Sequence, residues 1–382
     1  MCFLTANIKD LTFELWARAG GRCEFEGCNK QLSREGLTWQ RLNKSNIAHI
    51  IAKSPNGPRG DKILSKKLEK DISNLMLTCL EHHKLIDSKE HEKEYTVECL
   101  RTMKNKHERR IQKVTSIQPQ CKSKIIIYGV KIGEKAIFVN EKDAEYALLP
   151  QYYPDGDKIE LGLKNDSWYD GEPTYWLNQK ENLYRQFSSL VTQELYNNKI
   201  KHLSVFAFAP QPLLIYLGTL ISDKYPANIF QLNREFGNWK WEETGENTNY
   251  KINTPKNISF DGIPVLNISL SGIIDNRRIR TIIPNSDIWT LTINEPNTDF
   301  LRTKIQLYEF KKQARKILEE IKSKYKEGTI LNIFPAMPIS AAIEFGRLIL
   351  PKTDMQMKIY DQVDNQTGFK YALTVNQTQE RN

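Results

Sequence analysis

The sequence predicts two domains, a small α+β metal-binding domain followed by a larger α/β domain built from two similar halves. Three observations predict this division. Cysteine and histidine pairs are concentrated in the first 110 residues, residues 203–232 align with residues 331–360 without gaps, and the basic excess lies in the first 120 residues. A chain of 382 residues is long enough for two or three hydrophobic cores. We assign residues 1–112 to the first domain, 113–124 to a linker and 125–382 to the second domain.

The first domain begins with a predicted helix and a predicted hairpin. Leu11–Ala19 is apolar and aromatic at helical spacing, and the Gly-Gly pair after it ends the helix. Leu37–Arg41 is the candidate first strand of the hairpin. Asn46–Ala52, with its alternation and branched residues, is the predicted second strand, so His49 lies on a strand.

The segment after this hairpin changes from turn formers to a helical pattern. Residues 54–61, Ser-Pro-Asn-Gly-Pro-Arg-Gly-Asp, cannot continue a strand or a helix. Ser73–Asp87 is predicted to be a short turn entering a helix, on which His83 and Asp87 share one face. Glu90–Ile111 is predicted to follow as one amphipathic helix, and the linker after it has no periodicity.

Two pairs of metal-binding residues frame this region. Cys23 and Cys28 form one pair, and Cys79 and His82 form the other. Together they offer four sulfur and nitrogen donors, the number and type that a tetrahedral structural zinc ion takes. The alternative is that the cysteines are unpaired core thiols. Six cysteines over 382 residues do not form a disulfide framework of the kind found in small secreted domains.

The order His49, Asn74 and His83 inside this cysteine frame resembles the HNH, or ββα-metal, nucleases, and the resemblance covers residues 1–110. It implies an α+β ββα-metal nuclease domain with a zinc clasp, in which His82 stands where the family usually has a fourth cysteine. It also implies that His49 deprotonates a water molecule, that Asn74 holds this base in one orientation, and that His83 binds a catalytic Mg²⁺. A neutral imidazole suits base catalysis near neutral pH, and a divalent ion neutralises charge on the reacting phosphate.

One position departs from the family pattern. Most HNH nucleases have an aspartate metal ligand just before the base histidine, whereas this chain has Ala48. Asp61 and Asp87 are the candidate substitutes for this Mg²⁺ ligand. A zinc-binding module without catalysis is the alternative to a nuclease.

Charge and hydropathy indicate a nucleic-acid partner and no membrane. Residues 1–120 carry 22 Lys and Arg against 15 Asp and Glu, a net charge of +7, whereas residues 121–382 carry 33 against 31. A basic nuclease domain suits the backbone of double-stranded DNA, because neutralised phosphates release counterions. The chain has no run of 18 apolar residues and no leader pattern, so we expect a cytoplasmic protein.

The second domain repeats itself at an offset of 128 residues. In each copy a long amphipathic helix, Glu181–Asn198 or Ile305–Lys326, leads to a buried strand, His202–Phe208 or Thr329–Phe334, and then to a loop and a second helix. This order is that of a βαβ unit, so each copy is predicted to be a small Rossmann-like half. Eight of 30 aligned positions are identical: Leu203/Leu331, Phe206/Phe334, Pro210/Pro338, Ile215/Ile343, Gly218/Gly346, Leu220/Leu348, Ile221/Ile349 and Lys224/Lys352.

The paired halves, with the loops Ala209–Pro212 and Ala336–Ser340, resemble the SAVED domain, a fused double CARF-like sensor. The resemblance implies an α/β fold of two fused CARF/Rossmann-like halves, activated by a cyclic dinucleotide or a larger cyclic oligonucleotide. An HNH nuclease fused to such a sensor resembles the effectors of CBASS antiphage defence, in which ligand binding by the sensor leads the nuclease to degrade DNA. We expect ligand binding to assemble a homo-oligomer whose paired nuclease sites cut both strands.

Loops at the carboxyl ends of the strands are the predicted ligand site, because they present backbone N–H groups and helix N-termini to a phosphate. Trp239 is a candidate stacking platform for a base, and Gly272 allows a close approach. Against this, tryptophans are usually core residues and prolines after strands are usually turns. The predicted ligand-binding residues are Pro210, Gln211, Pro212, Trp239, Ser271, Gly272, Met337 and Pro338.

Two other functions fit part of the sequence. A restriction-type HNH nuclease would use the second domain to read modified DNA, and a zinc-stabilised DNA-binding protein would carry an inactive HNH site. A second DNA-reading domain should be basic, but residues 121–382 carry a net charge of only +2. The intact set of His49, Asn74 and His83 argues against the inactive protein.

Overall fold

The computed structural model describes residues 8–377, apart from 35–37, 39, 131–138, 163–171, 173, 198, 236, 259–261 and 365–367. The chain forms two compact units, Met1–Gln118 and Pro119–Asn382. Each unit has its own hydrophobic core. Within the described ranges, no helix combines the length and the apolar character that crossing a bilayer requires.

The first unit contains two strands and four helices in its described part. These are α1 (Ile8–Ala19), β1 (Ser45–His49), α2 (Leu64–Lys67), β2 (Leu75–Cys79), α3 (Leu80–Ile86) and α4 (Val97–Thr115). β1 and β2 pair antiparallel, with Ser45 opposite Cys79 and His49 opposite Leu75. Because α3 follows β2 directly, the centre of this unit has the chain order strand, strand, helix.

The strand β2 was not predicted from the sequence, where Ser73–Asp87 was interpreted as a turn entering a helix. All five residues of β2 are buried, so the apolar run lacks the alternation that identifies a strand with one exposed face. The predicted hairpin partner of β1, Leu37–Arg41, lies partly outside the described residues. Arg41 forms only an isolated bridge with Arg34, and the strand that pairs with β1 is β2.

The two-stranded sheet of the first unit packs on both faces. Leu75 and Leu77 pack with α1 and with Cys23, and Met76 packs with Ala48 on the other face. α3 and α4 contribute to this second cluster, which contains Ile86 and Leu100. Burial on both faces holds the sheet rigidly, and this positions the residues at its ends.

Two predicted boundaries around α4 were wrong. The helix begins at Val97, not at Glu90, because the Thr96 side chain accepts a hydrogen bond from the Cys99 N–H and caps it there. It runs to Thr115 and the next strand begins at Lys122, so the connection is shorter than the predicted linker 113–124.

The second unit contains two halves with the same element order. The first half consists of β3 (Lys122–Gly129), α5 (Glu141–Leu148), β4 (Tyr153–Pro154), β5 (Ile159–Leu161), α6 (Tyr175–Phe187), α7 (Gln193–Tyr196), β6 (Leu203–Phe208), α8 (Gln211–Ile221) and β7 (Ala227–Ile229). The second half consists of β8 (Lys251–Asn253), β9 (Ile263–Ser269), α9 (Asn276–Ile282), β10 (Ser286–Thr292), α10 (Lys304–Lys324), β11 (Leu331–Ala336), α11 (Ile339–Leu348), β12 (Met357–Asp364) and β13 (Gly368–Val375).

The two sheets share one topology. In the first half the parallel strands are ordered β5, β3, β6, β7, and β4 pairs with the same edge of β3 as β5. In the second half the parallel strands are ordered β10, β9, β11, β12, with β8 and β13 antiparallel at the two edges. This order is that of a doubly wound Rossmann-like sheet, so the predicted α/β fold of two similar halves is confirmed.

The predicted repeat has a direct structural counterpart. β6 and β11 begin at Leu203 and Leu331, at the offset of 128 read from the sequence. The predicted helix Ile305–Lys326 is α10, which begins with a capping box between Thr303 and Gln306. The predicted helix Glu181–Asn198 is interrupted, because a π-helical turn at Ser188–Thr192 separates α6 from α7.

The helices α8 and α11 join the two halves by packing at repeated positions. A Cβ atom built on Gly218 would lie 2.0 Å from the Ile343 carbonyl oxygen, and one built on Gly346 would lie 2.0 Å from the Ile215 carbonyl oxygen. Both residue pairs are among the identities of the repeat. The halves are therefore related by an approximate twofold axis that passes between these two glycines.

Candidate functional site: a Cys₃His cluster beside a strand-strand-helix motif

The structure brings the four predicted zinc donors together. The ligand atoms of Cys23, Cys28, Cys79 and His82 all lie within 4.8 Å of one another, and they form the one such cluster in the part of the chain that the structure describes. His82 Nδ1 lies 3.1 Å from the sulfur of Cys79 and 3.7 Å from that of Cys23. Donors bound to one zinc ion at about 2.0–2.3 Å in tetrahedral geometry are separated by such distances.

Secondary structure fixes each donor of this cluster. Cys23 follows the turn that ends α1, and Cys79 is the last residue of β2, with its N–H donating to the Cys23 sulfur at 3.3 Å. His82 lies in the first turn of α3, and its ring stacks on Phe25 with centroids 4.0 Å apart. The spacing of Cys79 and His82 places both side chains at the junction of a strand and a helix.

The electrostatics of the cluster fit a bound cation. Burial raises the pKa of the Cys23 thiol to about 12, and the neighbouring thiols add to this effect. Thiolate ligands at so buried a position need the charge of a metal ion to be stable. The residues present therefore fit a structural zinc ion held by three sulfurs and one imidazole nitrogen.

His49 lies at the end of β1, and Asn74 braces the backbone that follows it. The Asn74 side-chain oxygen accepts a hydrogen bond from the Ile51 N–H at 2.8 Å, and its amide nitrogen donates to the Ile51 carbonyl at 3.0 Å. The Asn74 carbonyl also accepts from the Ile50 N–H at 2.8 Å. Asn74 is fully buried, so its amide is held in one orientation and fixes the exit of β1.

The His49 ring has one nitrogen engaged. Its Nε2–H donates to the carbonyl of Glu69 at 3.1 Å. In the neutral tautomer with the proton on Nε2, the other ring nitrogen, Nδ1, carries the lone pair and can accept a proton. The half-buried position of His49 at a strand end leaves the ring partly open to solvent.

His83 lies on α3 with one nitrogen turned to β1. Its Nε2–H donates to the carbonyl of Ile47 at 3.3 Å, and its Nδ1 lies 3.5 Å from Asp87 Oδ2. The predicted sharing of a helix face by His83 and Asp87 is what the structure shows. The other candidate carboxylate, Asp61, accepts hydrogen bonds from the N–H groups of Ile63 and Leu64 at 2.8 and 2.7 Å.

Sequence reasoning missed Arg59, which ties these elements together. Its Nε–H donates to the Ile50 carbonyl at 2.7 Å and its Nη1–H donates to the Ile86 carbonyl at 2.8 Å. The end of β1 and the end of α3 are thus held by one guanidinium group. The signal in the sequence was an arginine within a Pro-Arg-Gly turn, where Arg59 adopts a positive φ of 55°.

Seven of the eight predicted ligand residues, all except Trp239, lie at the carboxyl ends of β6, β9 and β11. Pro210 and Pro338 precede α8 and α11 as their capping residues. The Gln211 amide nitrogen donates to the Met337 carbonyl at 2.6 Å, and its buried side-chain oxygen has no hydrogen-bond partner among the described residues. Five predicted residues, Pro210, Gln211, Pro212, Met337 and Pro338, therefore lie where the two halves meet.

The remaining predicted ligand residues are Trp239, Ser271 and Gly272. Trp239 is 3% exposed and packs edge-on against Phe206 in a core cluster, so the structure gives it a packing role and no free stacking face. The Ser271 N–H donates to the Ala336 carbonyl at 2.8 Å, and this bond ties the β9 loop to β11. Gly272 has open space around it and a φ outside the left-handed region, so the chain itself does not require glycine there.

A cleft of about 810 Å³ opens elsewhere in this unit. It lies beside β9 and β10, and Asn267, Ser269 and Thr290 are among its polar lining residues. None of the predicted ligand-binding residues lines it. The predicted site at the junction of the halves is thus separate from this cleft.

Fold and site together define a protein that joins a Cys₃His-bearing strand-strand-helix unit to a module of paired Rossmann-like halves. The model of the SAVED family, described as "SMODS-associated and fused to various effectors sensor domain", matches residues 183–375, which are 193 of the 382 residues. The chain belongs to this family. No protein of curated function matches the chain significantly.

Several solved structures are similar to this chain at low sequence identity. An Acinetobacter baumannii Cap4 receptor with SAVED/CARF domains, solved with the cyclic trinucleotide 2'3'3'-cAAA, is 14% identical, with a TM-score of 0.44 over 82% of this chain and 67% of that chain. The same receptor with 3'3'3'-cAAA is 13% identical, with a TM-score of 0.44 over 83% and 61%. A Moraxella osloensis Cap4 receptor is 10% identical, with a TM-score of 0.40 over 76% and 60%. The chain thus spans 60 to 67% of the length of these three structures.

Proposed function

We propose that the protein is a metal-dependent double-stranded DNA endonuclease that a cyclic oligonucleotide activates, an effector of the CBASS antiphage type. One observation carries the proposal. Asn74 braces the backbone directly after His49, on a strand-strand-helix motif that also carries His83, in a chain whose second unit is a SAVED sensor. A nuclease and a nucleotide sensor in one chain form a switch that a small ligand controls.

The first unit supplies the proposed chemistry. His49, engaged through Nε2, accepts the proton of an attacking water molecule through Nδ1, a role that contributes about 10²–10⁴-fold in rate. His83, engaged through Nε2 with Ile47, would hold a divalent ion through Nδ1. When bound, such an ion would neutralise negative charge on the reacting phosphate and on the leaving oxygen.

The Cys₃His cluster has a structural role in this proposal. Cys23, Cys28, Cys79 and His82 fill all four positions of a tetrahedral site, and a closed site of this kind does not bind substrate. Because Cys79 ends β2 and His82 lies in the first turn of α3, a zinc ion here would fix the angle between strand and helix. That angle sets the position of His83 relative to His49.

The second unit supplies the proposed regulation. Pro210 with Gln211 and Met337 with Pro338 bring the N-termini of α8 and α11 to the approximate twofold axis, where phosphate groups of a cyclic ligand would be favoured. The buried, unpartnered side-chain oxygen of Gln211 offers an acceptor for an amino group of a base. The A. baumannii receptor was solved with cyclic trinucleotides, which supports a cyclic oligonucleotide as the ligand class.

A restriction-type nuclease with a second domain that reads modified DNA is the weaker alternative. The net charge of +2 on residues 121–382 provides little attraction for DNA, whereas the +7 on residues 1–120 lies with the proposed nuclease. The substrate and the proposed ligand are both cytoplasmic molecules, so we propose that the protein acts in the cytoplasm.

The test is a plasmid cleavage assay with the full chain, Mg²⁺ and a panel of cyclic di- and trinucleotides. We expect cleavage with one member of the panel, and we expect His49→Ala to lose about 10²–10⁴-fold in rate while retaining ligand binding. His91→Ala is the matched control, because the His91 side chain is partly exposed and its contacts are with its near neighbours Glu94 and Tyr95. Substantial cleavage by His49→Ala would reject the proposed base, and cleavage without ligand would reject the gating.

A further inference from the structure

We infer that Asp87 and His83 together hold the catalytic divalent ion, so that Asp87 at the end of α3 takes the place of the aspartate that HNH nucleases have at the position of Ala48. The inference rests on the proposed nuclease function and names the carboxylate that this function requires. Four structural features of the first unit support it.

The first feature is the geometry of His83 and Asp87. His83 Nδ1 and Asp87 Oδ2 lie 3.5 Å apart. Two donors bound to one ion at about 2.1 Å are separated by roughly 3.0–3.5 Å when the angle between the bonds is about 90–115°. The hydrogen bond from Nε2 to the Ile47 carbonyl turns Nδ1 to the side of α3 where Asp87 lies. A small adjustment of either side chain brings both donors onto one ion.

The second feature is the burial of Ala48. Its side chain is 1% exposed and packs with Met76, Ile86 and Leu100 between the sheet and α3. A carboxylate at this position would lie in an apolar cluster, at a cost of several kcal/mol by the general penalty for burying an ion. The carboxylate beside His83 therefore has to come from another element, and the end of α3 is one turn away.

The third feature is that other nearby acidic groups have defined structural partners. Asp61 accepts hydrogen bonds from two backbone N–H groups at the start of α2, and these bonds lower the pKa of Asp61. Asp71 accepts from the N–H and the hydroxyl of Ser73. Glu69 pairs with Lys53 at 2.6 Å, and Glu92 accepts from the N–H of Arg59. Asp87 is 45% exposed in its side chain and faces His83.

The fourth feature is the bracing of the helix end by Arg59. The guanidinium group donates to the carbonyl of Ile86, the residue before Asp87, and to the carbonyl of Ile50, the residue after His49. One side chain thus sets the distance between the backbone of the proposed base and that of the proposed carboxylate ligand. Two protein donors leave the other positions of an octahedral ion for water and for substrate phosphate, as is usual for Mg²⁺.

The experiment measures metal binding directly, with Mn²⁺ as the probe. The full chain, loaded with zinc, is titrated with Mn²⁺ in the presence of a DNA duplex, and free Mn²⁺ is followed by its electron paramagnetic resonance signal. All proteins carry His49→Ala, so that the duplex is not cleaved. We expect this parent protein to bind one Mn²⁺, and we expect Asp87→Asn to weaken the binding at least tenfold.

Asp61→Asn is the matched control, because it changes another exposed aspartate in the same manner. We expect it to alter the Mn²⁺ affinity by less than about threefold, although it weakens the acceptor of the Ile63 and Leu64 N–H groups at the start of α2. Thermal unfolding and zinc content are compared for all variants. Asp87 is the exposed residue directly after α3, so the Asp87→Asn variant is expected to fold normally.

Each outcome has one meaning. Mn²⁺ affinity of Asp87→Asn equal to that of the parent protein, a loss on Asp61→Asn instead, or no Mn²⁺ binding by the parent protein would overturn the inference. If the Mn²⁺ results are as expected but the chain with His49 cleaves no DNA with any cyclic nucleotide, the metal pair stands and the proposed function fails.

Discussion

Cys79 combines two roles at the scale of single residues, because it ends the buried strand β2 and contributes a donor to the Cys₃His cluster. We predict that Cys79→Ala releases zinc and unfolds the first unit, since zinc binding contributes on the order of 10 kcal/mol of coupled folding energy. Elemental analysis and circular dichroism measure the two effects. Cys99→Ala is the control, because Cys99 lies on α4 outside the cluster. A folded, active protein that contains no zinc would contradict the assignment.

His202 provides a prediction about pH. Its ring stacks on Tyr152, its Nδ1 lies 2.8 Å from the Ser123 hydroxyl, and burial lowers its pKa from 6.5 to about 4. The unfolded chain therefore takes up a proton that the folded chain does not. Stability from this residue is fully present above pH 6.5 and is lost as the pH falls from about 6.5 to about 4. The total loss is on the order of 3 kcal/mol.

The measurement is chemical denaturation of the full chain at several pH values between 7 and 4. His202→Phe keeps an aromatic ring against Tyr152 and removes the titrating group, so we expect its stability to fall less steeply over this range. The difference between the two curves isolates His202 from other titrating groups. Parallel curves for the two proteins would show that burial does not depress the pKa of His202.

At the scale of secondary structure elements, the close crossing of α8 and α11 leaves no room for a side chain at Gly218. Gly218→Ala should gain up to about 1 kcal/mol of helix propensity. Against this, its Cβ would lie 2.0 Å from a backbone oxygen of α11, which forces the helices apart. We expect the clash to prevail, with a net loss of about 2–3 kcal/mol in the free energy of unfolding of the second unit.

Thermal unfolding measures this prediction, and we expect the melting temperature to fall by roughly 5–10 °C. Gly272→Ala is the control, because nothing lies within 4 Å of a Cβ built there. We expect that variant to stay within about 0.5 kcal/mol of the parent protein. A Gly218→Ala protein as stable as the Gly272→Ala protein would mean that α8 and α11 are not packed as closely as described.

At the scale of the whole molecule, the proposed function requires a tightly held inactive state, because an ungated nuclease would degrade the DNA of its own cell. A shift from about 1% to 99% active protein demands roughly 10⁴-fold preferential ligand binding to the active state, or about 5.5 kcal/mol. Contacts to both halves at the twofold axis, together with assembly of protomers, are the proposed source of this preference.

We predict that the cyclic oligonucleotide that activates cleavage also causes the full chain to assemble. Light scattering with and without the ligand measures the mass, and a linear oligonucleotide of the same composition is the control. Assembly and cleavage should rise over the same ligand concentrations, because paired sites are needed to cut both strands. A ligand-bound, active nuclease that remains monomeric would reject assembly as the mechanism of activation.

The sequence by itself determined the features that depend on local spacing. The offset of 128 residues predicted the two halves, because equal element lengths in a βαβ unit keep the register of the repeat. The predicted strands His202–Phe208 and Thr329–Phe334 overlap β6 and β11, although both predicted strands begin earlier than the observed ones. The two donor pairs predicted a cluster of four, because residues three to five positions apart at a turn or helix start converge on one point.

Tertiary structure alone decided what depends on burial from several sides. Both faces of the strand β2 are buried. A strand buried on both faces lacks the alternation of apolar and polar residues, so the local sequence pattern does not identify it. Trp239 lies in the core because Phe206 from β6 packs against it, and these two residues are distant in sequence. Asp61 and Asp87 are the same residue type, but Asp61 accepts from backbone N–H groups at the start of α2, whereas Asp87 faces His83. Their roles differ because backbone N–H groups satisfy one carboxylate, whereas the fold leaves the other beside an imidazole.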